Sequence, residues 1–591
     1  MKGDARRASY ATYINLMLST IHSTMESSSI INQSVLDTME SAGFPLKDYQ
    51  KEGLEWMVNH ETRRSSGYLI TDDPGLGKTI QIASIMLHNP GTTLLIVPNS
   101  IVVQWERTLK TINPSWVIYK HMGQSRCDNR LDLFNKKYDI CITTLGTLIA
   151  EADKESMTTL LHTITKLRPW HRVVIDEAHN VRNSKSISYE IVNTIRAKFY
   201  VGLTGTPIQN KRQDLTNLLK FIGVTGDEIR LNYEHVVKTY VLRRNKSLLY
   251  GDDTNFAPYV CENIYVPFAS VDEQELYRAI QSELVSEFLK KSRMADDRRI
   301  QMMVLEMILR LRQATAHPVI AAEAITAKYG VEFDDIDING ITPGKFQKIM
   351  ELIDSAPSDD KFIIFCQFSQ EIHILKDYLE TAGELEVGIY NGELSMAQKD
   401  KMVQRSPRVL IIQTRCGGVG LNLQQYNRVI IMSPDWNPAN EIQAIARAHR
   451  LGQQKQVYVY RLLAVANTEL EDPDQYTIDP ETKQKVSQLS TIDERILHIQ
   501  IKKKMIMIDV MQDDTYMDHA DKRVVEFAKV DFKNLKLSIS ELKQAAGLVK
   551  RIRPKLSFDA VKKLAALPMI DAEPEEKKEE TQEKSITVES K

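Results

Sequence analysis

The chain has 591 residues, of which 42% are hydrophobic and 26% charged, and its formal net charge is -2 at pH 7. Such a chain forms several domains with large buried cores, and its charge balance excludes a surface that is basic throughout. The five cysteines show no C-x-x-C spacing, which argues against a zinc module, and the longest apolar runs are too short for a membrane span. We therefore expect a soluble intracellular protein with no membrane partner.

Short apolar runs alternate with helical stretches from about residue 46 to residue 245. The runs are GYLIT, TLLIVP, YDICITT, HRVVIDE and KFYVGLT. Residues 345–465 repeat this rhythm with KFIIFCQF, LEVGIY, RVLIIQT, NRVIIMS and VYVYRLL. Apolar strands separated by helices are typical of a parallel sheet that is covered on both faces. The sequence therefore predicts an α/β fold with two lobes, each a doubly wound parallel sheet.

The remaining segments divide around these two lobes. We expect an N-terminal extension (1–45), a first lobe (46–245), a helical connector (246–344), a second lobe (345–505) with a polar insertion (464–490), a C-terminal helical region (506–570) and a disordered charged tail (571–591). In the connector, the three-four spacing of one helix face predicts burial of Met302, Leu305, Ile308 and Leu309. The basic cluster at 550–555 fits a DNA contact, a solvated helix face or a nuclear-import signal.

The stretch ITDDPGLGKTIQIASIML, residues 70–87, begins as a strand, turns, and continues at helical spacing. Gly75 and Gly77 would let the backbone approach a phosphate, and Lys78 would reach the terminal phosphates. The hydroxyl of Thr79 would ligate Mg²⁺. However, the general pattern G-x-x-x-x-G-K-[ST] has a glycine where this chain has Asp72, so the stretch alone leaves a glycine-rich helix start as an alternative.

A second element, RVVIDEAHN, is an apolar strand that ends in two carboxylates. Asp176 can hold Mg²⁺ beside the phosphate loop, and Glu177 can orient and deprotonate the attacking water. Adjacent acidic residues are usually a solvated turn. Here they follow their own strand about one hundred residues after the lysine loop, so the pair favours an ATP or GTP site.

A third element, NEIQAIARAHRLGQ, lies in the second lobe and has a helical pattern. It places Gln443, Arg447 and Arg450 at i, i+4 and i+7, on one helix face. Two arginines on a helix usually form a solvated face. Because the second lobe has no lysine loop of its own, the arginines instead suit a cleft in which they complete the site of the first lobe and stabilise the transferring phosphoryl group. Lobe closure would then depend on nucleotide.

The order of these motifs along residues 46–463 resembles that of Snf-family (SWI/SNF-type) ATPases of helicase superfamily two. The resemblance continues more weakly to about residue 505. LKDYQKEGLEWM resembles the adenine-side motif, in which Gln50 would read the base. DDPGLGKT resembles the loop D-E-M-G-L-G-K-T, so Asp72 is typical of the family, while Asp73 and Pro74 depart from it. LTGTPIQN resembles the motif that links the ATP site to DNA, and DWNPANEIQAIARAHRLGQ matches nearly throughout apart from Ala446.

The resemblance implies RecA-like lobes and an ATP- and Mg²⁺-dependent motor that translocates on double-stranded DNA. Its substrates would be protein–DNA complexes such as nucleosomes, protein partners would target it, and it would act in the nucleus or at a site of viral DNA replication or transcription. The candidate nucleotide-binding residues are Gln50, Asp73, Pro74, Gly75, Leu76, Gly77, Lys78 and Thr79, with Thr79 and Asp176 as metal ligands. The candidate catalytic residues are Lys78, Asp176, Glu177, Gln443, Arg447 and Arg450. The candidate DNA-backbone contacts are Thr143, Thr144, Thr414 and Arg415.

Two other functions stay open at this point. The D-E-A-H signature is shared more widely, so a helicase that separates DNA or RNA strands is one alternative. The departures at Pro74 and Ala446 motivate the other, a nucleotide-gated DNA-binding scaffold with weak hydrolysis.

Overall fold

The computed structural model describes residues 31–62, 67–127, 135–152, 159, 161–162, 169–250, 256–292, 297–333, 336–417, 421–473, 475–478, 485–487 and 489–528. The predicted charged tail, the basic cluster at 550–555 and most of the predicted C-terminal helical region lie outside these residues. Within the described ranges, no helix is long and apolar enough to cross a membrane.

The first lobe is built on a sheet in which every neighbouring pair of strands is parallel. Its strands are Gly67–Ile70 (β1), Thr93–Ile96 (β2), Ile118–Lys120 (β3), Ile140–Thr143 (β4), Trp170–Asp176 (β5), Ala197–Leu203 (β6) and Val241–Leu242 (β7). They are arranged in the order β3-β4-β2-β5-β6-β1-β7. The five strands predicted from apolar runs are confirmed, and the short strands β3 and β7 are additional.

The second lobe has its own parallel sheet, in the order β10-β11-β9-β12-β13-β8. Its strands are Val260–Pro267 (β8), Phe362–Cys366 (β9), Val387–Tyr390 (β10), Val409–Gln413 (β11), Arg428–Ile431 (β12) and Tyr458–Val465 (β13). The edge strand β8 comes from the segment predicted as a helical connector. In the insertion after β13, Tyr476–Ile478 (β14) and Lys485–Ser487 (β15) form an antiparallel pair.

Helices surround both sheets. In the first lobe they are Gln33–Ser41 (α1), Asp48–Thr62 (α2), Lys78–His88 (α3), Val102–Ile112 (α4), Leu145–Glu151 (α5), Ile187–Thr194 (α6), Arg212–Phe221 (α7), Gly226–Leu231 (α8) and Tyr233–Tyr240 (α9). The connector contributes Val271–Ser292 (α10), Asp297–Ala316 (α11) and Pro318–Tyr329 (α12). The second lobe and the C-terminal segment contribute Gly344–Asp354 (α13), Ser369–Gly383 (α14), Met396–Arg405 (α15), Thr414–Gly417 (α16), Pro438–Ala448 (α17), Ile492–Met511 (α18) and His519–Ala528 (α19).

Alternate residues of the central strands enter different hydrophobic cores, which confirms that each sheet is covered on both faces. In β2, Leu94 and Ile96 belong to one core and Leu95 to another. In β9, Ile364 and Ile363 divide in the same way. Successive side chains of a strand point to opposite faces, so each sheet must have helices on both sides to bury these residues.

The buried face of α11 is not the predicted one. Met302 and Leu305 are both 66% exposed, Leu309 is also exposed and Ile308 is only half-buried, so the prediction that this face is buried is wrong. Val304, Met307 and Leu311 are buried instead, and Met307 and Leu311 pack in a core shared with α10, α12 and the start of α18. Both sets of residues have helical three-four spacing, and packing against the neighbouring helices selects the second set.

The order of strands in the first sheet brings three sequence motifs to one edge. Strand β6 lies between β1 and β5, and all three are parallel. Their carboxyl ends therefore share one edge of the sheet, which is where α/β proteins bind ligands. The loop after β1, the pair that begins with Asp176 and the turn after Leu203 converge there.

Candidate active site

The loop between β1 and α3 has the backbone of a phosphate-binding loop. Gly75 and Gly77 have φ angles of 96° and 77°, in the left-handed region that glycine tolerates best. The ammonium group of Lys78 donates to the carbonyl oxygens of Asp72 (2.7 Å) and Asp73 (3.2 Å), and burial lowers its pKa. A half-buried ammonium that donates to loop carbonyls at the N-terminus of a helix is well suited to binding an anionic phosphate.

Two aspartates hold the loop in position: Asp72, which occupies the glycine position of the general pattern, and Asp73. The fully buried Asp72 accepts hydrogen bonds from the Nε of Arg244 (3.0 Å) and the Nε2 of Gln81 (3.0 Å). Asp73 binds Arg243 (2.7 Å) and accepts a hydrogen bond from the backbone N–H of Lys246 (2.9 Å). The loop is thus tied to the segment that follows β7.

The adenine-side candidate Gln50 lies directly against this loop. Its Nε2 donates to the carbonyl of Leu76 (3.2 Å), and its Oε1 accepts from the backbone N–H of Lys47 (3.0 Å). The hydroxyl of Tyr49 donates to the same Leu76 carbonyl (3.2 Å). The start of α2 therefore borders the loop next to Leu76 and Gly77.

Pro74 contacts the turn that follows β6. A Cβ added to Gly205 would lie 2.8 Å from the Cδ of Pro74, so only glycine fits here without a shift. In the same turn, the hydroxyl of Thr204 is 3.0 Å from the Nδ1 of His179. The turn thus contacts both the phosphate loop and the acidic element.

The two carboxylates after β5 have different environments. Asp176 accepts hydrogen bonds from the Nε1 of Trp105 (2.9 Å) and the backbone N–H of Glu177 (2.9 Å), while burial and the charge of Glu177 raise its pKa to about 6. Burial acts to raise the pKa of Glu177 too, but the hydrogen bond from His179 and the charges of His179 and Lys78 outweigh it and lower the pKa. Glu177 is therefore ionised and able to accept a proton.

The donor set beside the loop fits Mg²⁺. Magnesium is usually bound by one or two carboxylates together with phosphate oxygens and water. Asp176 supplies a carboxylate and Thr79 a hydroxyl at the start of α3. The described residues contain no group of three or more His, Cys, Asp and Glu side chains that could hold a metal alone.

Helix α17 of the second lobe faces the site of the first lobe. The amide of Gln443 donates to the Oε2 of Glu177 (3.3 Å). Burial and the neighbouring Arg450 lower the pKa of Arg447 to about 10, while the charges of Glu177 and Asp176 act in the opposite direction. A Cβ added to Gly75 would lie 3.8 Å from the Cγ of Arg450, so this side chain covers the phosphate loop.

The prediction that Arg450 belongs to the same helix is wrong. Helix α17 ends at Ala448, and Arg450 lies in the following turn, where its backbone N–H donates to the carbonyl of Ala448 (3.1 Å). Its guanidinium donates to the carbonyl of Leu421 (3.1 Å). The turn, rather than a shared helix face, directs this arginine to the gap between the lobes.

The candidate DNA contacts lie at the ends of strands in the two separate sheets. Thr143 is fully buried and donates to the carbonyl of His121 (2.9 Å), and Thr144 caps the N-terminus of α5. In the second lobe, Thr414 donates to the carbonyl of Cys366 (2.9 Å), and Arg415 is exposed. The threonine hydroxyls therefore already have intramolecular roles, and Arg415 is the most accessible of the four side chains.

Several residues without a predicted role shape this site. Trp105, His179 and the two arginines of the stretch VLRRNK, residues 241–246, each bind a motif residue directly. The signal was present, because two adjacent aspartates in a buried loop require cationic partners, and R-R-x-K supplies three cations. The partners are far apart in sequence, so the pairing itself could not be assigned.

Two family models match this chain. An SNF2-related domain matches residues 49–226, and a helicase conserved C-terminal domain matches residues 344–452. The matched segments contain the phosphate loop and the acidic pair in the first case and Gln443, Arg447 and Arg450 in the second.

Several known proteins are similar to this chain. The "SWI/SNF-related matrix-associated actin-dependent regulator of chromatin subfamily A member 1" of Mus musculus is 27% identical over 71% of the chain and 41% of that protein. The "ISWI chromatin-remodeling complex ATPase ISW2" of Saccharomyces cerevisiae is 27% identical over 71% of the chain and 39% of its own length. The "Probable global transactivator" of Orgyia pseudotsugata multicapsid polyhedrosis virus is 28% identical over 72% of the chain and 88% of its own length. The chain thus spans less than half of the mouse and yeast relatives.

A solved structure, "Sulfolobus solfataricus SWI2/SNF2 ATPase core in complex with dsDNA", is 24% identical to this chain. The alignment covers 85% of the chain and 97% of that structure, with a TM-score of 0.33.

Proposed function

We propose that this chain, which contains an SNF2-related domain and a helicase conserved C-terminal domain, is an ATP-hydrolysing motor that translocates on double-stranded DNA and remodels protein–DNA complexes. One observation carries this proposal. Arg450 of the second lobe lies over the phosphate loop of the first, and Gln443 donates to Glu177 across the same gap. A site divided between two lobes couples the state of the nucleotide to the relative position of the lobes.

In this proposal the first lobe binds ATP. Backbone N–H groups at the start of α3 and the ammonium of Lys78 bind the phosphates, and Lys78 exchanges its bonds to the loop carbonyls for phosphate oxygens. Gln50 orients the base side of the nucleotide. Thr79 and Asp176 would hold Mg²⁺, which supplies charge neutralisation at the phosphates.

Glu177 acts as the base that orients and deprotonates the attacking water. Its lowered pKa keeps it ionised, and the amide of Gln443 orients its carboxylate from the second lobe. Arg447 and Arg450 stabilise the charge of the transferring phosphoryl group, an effect of roughly a thousandfold or more on turnover. Hydrolysis is therefore fast only when the lobes are closed.

In this proposal the turn after β6 transmits lobe closure to the DNA. This turn contacts the phosphate loop at Pro74 and the acidic element at His179. Contacts to the phosphate backbone would bind the duplex without recognising its sequence. Our candidates for these contacts remain Thr143, Thr144, Thr414 and Arg415. The mouse relative is named a regulator of chromatin and the viral one a global transactivator. These names support an action in the nucleus or at a site of viral DNA replication or transcription.

The test compares ATP hydrolysis with duplex DNA, single-stranded DNA, RNA and nucleosomes. We expect the greatest stimulation by duplex DNA or nucleosomes, and we expect Lys78→Ala to abolish it. The protein should also displace the third strand of a DNA triplex without melting the duplex. Strand separation would instead favour a helicase. Nucleotide binding with no duplex-stimulated turnover would favour the scaffold.

A further inference from the structure

Lys246 lies between the two lobes and contacts the second lobe with its ammonium group. It begins a 3-10 turn, Lys246–Leu249, after β7 and is 9% exposed. Its Nζ donates to the backbone carbonyl of His449 and lies 3.4 Å from the Nδ1 of the same residue. His449 caps the C-terminus of α17 and directly precedes Arg450. A cation at this end of a helix is electrostatically favourable.

The backbone of Lys246 is held by the phosphate loop. Its N–H donates to the Oδ2 of Asp73 (2.9 Å), whose other carboxylate oxygen binds Arg243 (2.7 Å). The carbonyl of Asp73 accepts a hydrogen bond from the ammonium of Lys78 (3.2 Å). Lys246 therefore connects Asp73, which precedes Pro74, with His449, which precedes Arg450.

His449 is positioned to receive this contact. Its ring stacks on Phe256, with centroids 4.4 Å apart, and its Nε2 lies 2.8 Å from the carbonyl of Ala257. A ring nitrogen that faces a carbonyl must carry the proton, so Nδ1 is the acceptor in the neutral ring. Burial and the charge of Lys246 lower the pKa of His449 to about 3, which keeps the ring neutral. The segment after β7 thus holds this residue from both sides.

The charges around Lys246 make this contact sensitive to an anion. Burial lowers the pKa of Lys246 to about 7. The charge of Asp73 opposes this shift, and those of Arg450, Lys78 and Arg447 add to it. Four basic side chains interact in this gap, and the carboxylates of Asp73, Asp176 and Glu177 offset only part of their mutual repulsion. A triphosphate bound between them would reduce the repulsion. A neutral side chain would connect the lobes without this dependence on nucleotide.

We propose that Lys246 is a positioning residue for hydrolysis: through His449 it holds the turn that carries Arg450 against the phosphate loop when nucleotide is bound. This inference rests on the proposed function, because it concerns the closed state in which hydrolysis occurs. Lys246 touches no reacting group in this role and acts through Arg450.

Kinetics of three full-length variants test the proposal. Lys246→Met keeps the length of the side chain and removes the donors, and Lys246→Arg keeps both donors and charge. We expect Lys246→Met to lower kcat at least about tenfold with duplex DNA, as for a lost charge-assisted hydrogen bond, with affinity for a non-hydrolysable ATP analogue within about threefold. Lys246→Arg should recover part of kcat. Lys455→Met, at an exposed lysine of the second lobe, should match the wild type.

A second measurement separates this proposal from the proposed function. Dyes on cysteines introduced at the exposed positions Gln104 in the first lobe and Lys401 in the second lobe report lobe closure by energy transfer. The ATP analogue should increase the closed fraction in the wild type, and Lys246→Met should remove at least half of this increase. If the wild type binds ATP and closes but hydrolyses none, the proposed function fails, while the closure measurement still tests the positioning role of Lys246. Wild-type kcat and wild-type closure in Lys246→Met would overturn that positioning role.

Discussion

Gly205→Ala should weaken nucleotide binding by displacing the phosphate loop. A Cβ at this position would lie 2.8 Å from the Cδ and 2.9 Å from the Cγ of Pro74. Carbon atoms in normal contact are about 3.5–4.0 Å apart, so the gap must widen by roughly 0.7 Å. A proline ring cannot rotate away, so the loop backbone has to move. Overpacking of this kind costs about 1–3 kcal/mol. The displaced loop must return against the methyl group to bind the phosphates, so the cost is incurred on binding and ATP affinity falls roughly five- to 150-fold.

A double-mutant cycle isolates this contact. The φ angle of Gly205 is not in the left-handed region, so alanine introduces no backbone strain there. Pro74→Ala removes the ring atoms that the new methyl group would meet, so Gly205→Ala should change affinity by less than about threefold in that background. Titration with a fluorescent ATP analogue measures all four proteins, and their thermal midpoints check the fold. If Gly205→Ala lowers ATP affinity equally in the wild type and in the Pro74→Ala background, the steric argument is refuted.

Three further predictions concern the base, a buried ion pair and acid stability. Glu177→Gln should keep ATP affinity within about threefold and abolish hydrolysis, because an amide cannot accept the proton of water; a wild-type single-turnover rate would contradict this. Asp521→Ala should cost about 3–5 kcal/mol in a denaturant titration, because the buried Lys504 loses its carboxylate. Asp359→Ala, which removes an exposed carboxylate, should leave the titration midpoint nearly unchanged. Burial lowers the pKa of His317 to about 4, so the neutral ring stabilises the fold above about pH 6.5 and this stability is lost as the pH falls towards 4. Between about pH 6.5 and 5, the free energy of unfolding of His317→Leu should therefore fall by about 2 kcal/mol less than that of the wild type. An equal fall in both proteins would refute this.

The fold was predictable where burial leaves a simple pattern. The central strands of both sheets are mostly apolar because both of their faces are covered, and the apolar runs predicted each of them. Strand β8 was missed because it is an edge strand, with polar residues such as Glu262 and Asn263 between its buried positions. In α11, two sets of apolar residues fit the helical period equally well, and only packing against other helices decides between them.

The candidate site was predictable as a set of motifs but not as a set of contacts. The loop with Lys78 and the pair after β5 each follow a strand, and parallel strands bring them to one edge. The ties between these motifs join residues far apart in the chain, such as Lys246 and His449, which are 203 positions apart, or Arg243 and Asp513, which are 270 apart. A charge pattern shows that partners are needed, and only the tertiary structure identifies them.

The most direct test of the shared site is the turnover of Arg450→Ala at saturating ATP and duplex DNA, with ATP affinity measured in parallel. If the second lobe completes the site, kcat should fall by roughly a thousandfold or more, while affinity stays within about threefold of the wild type. Arg405→Ala, which removes an exposed arginine of the same lobe, should leave both values unchanged. A wild-type kcat in Arg450→Ala would contradict the account.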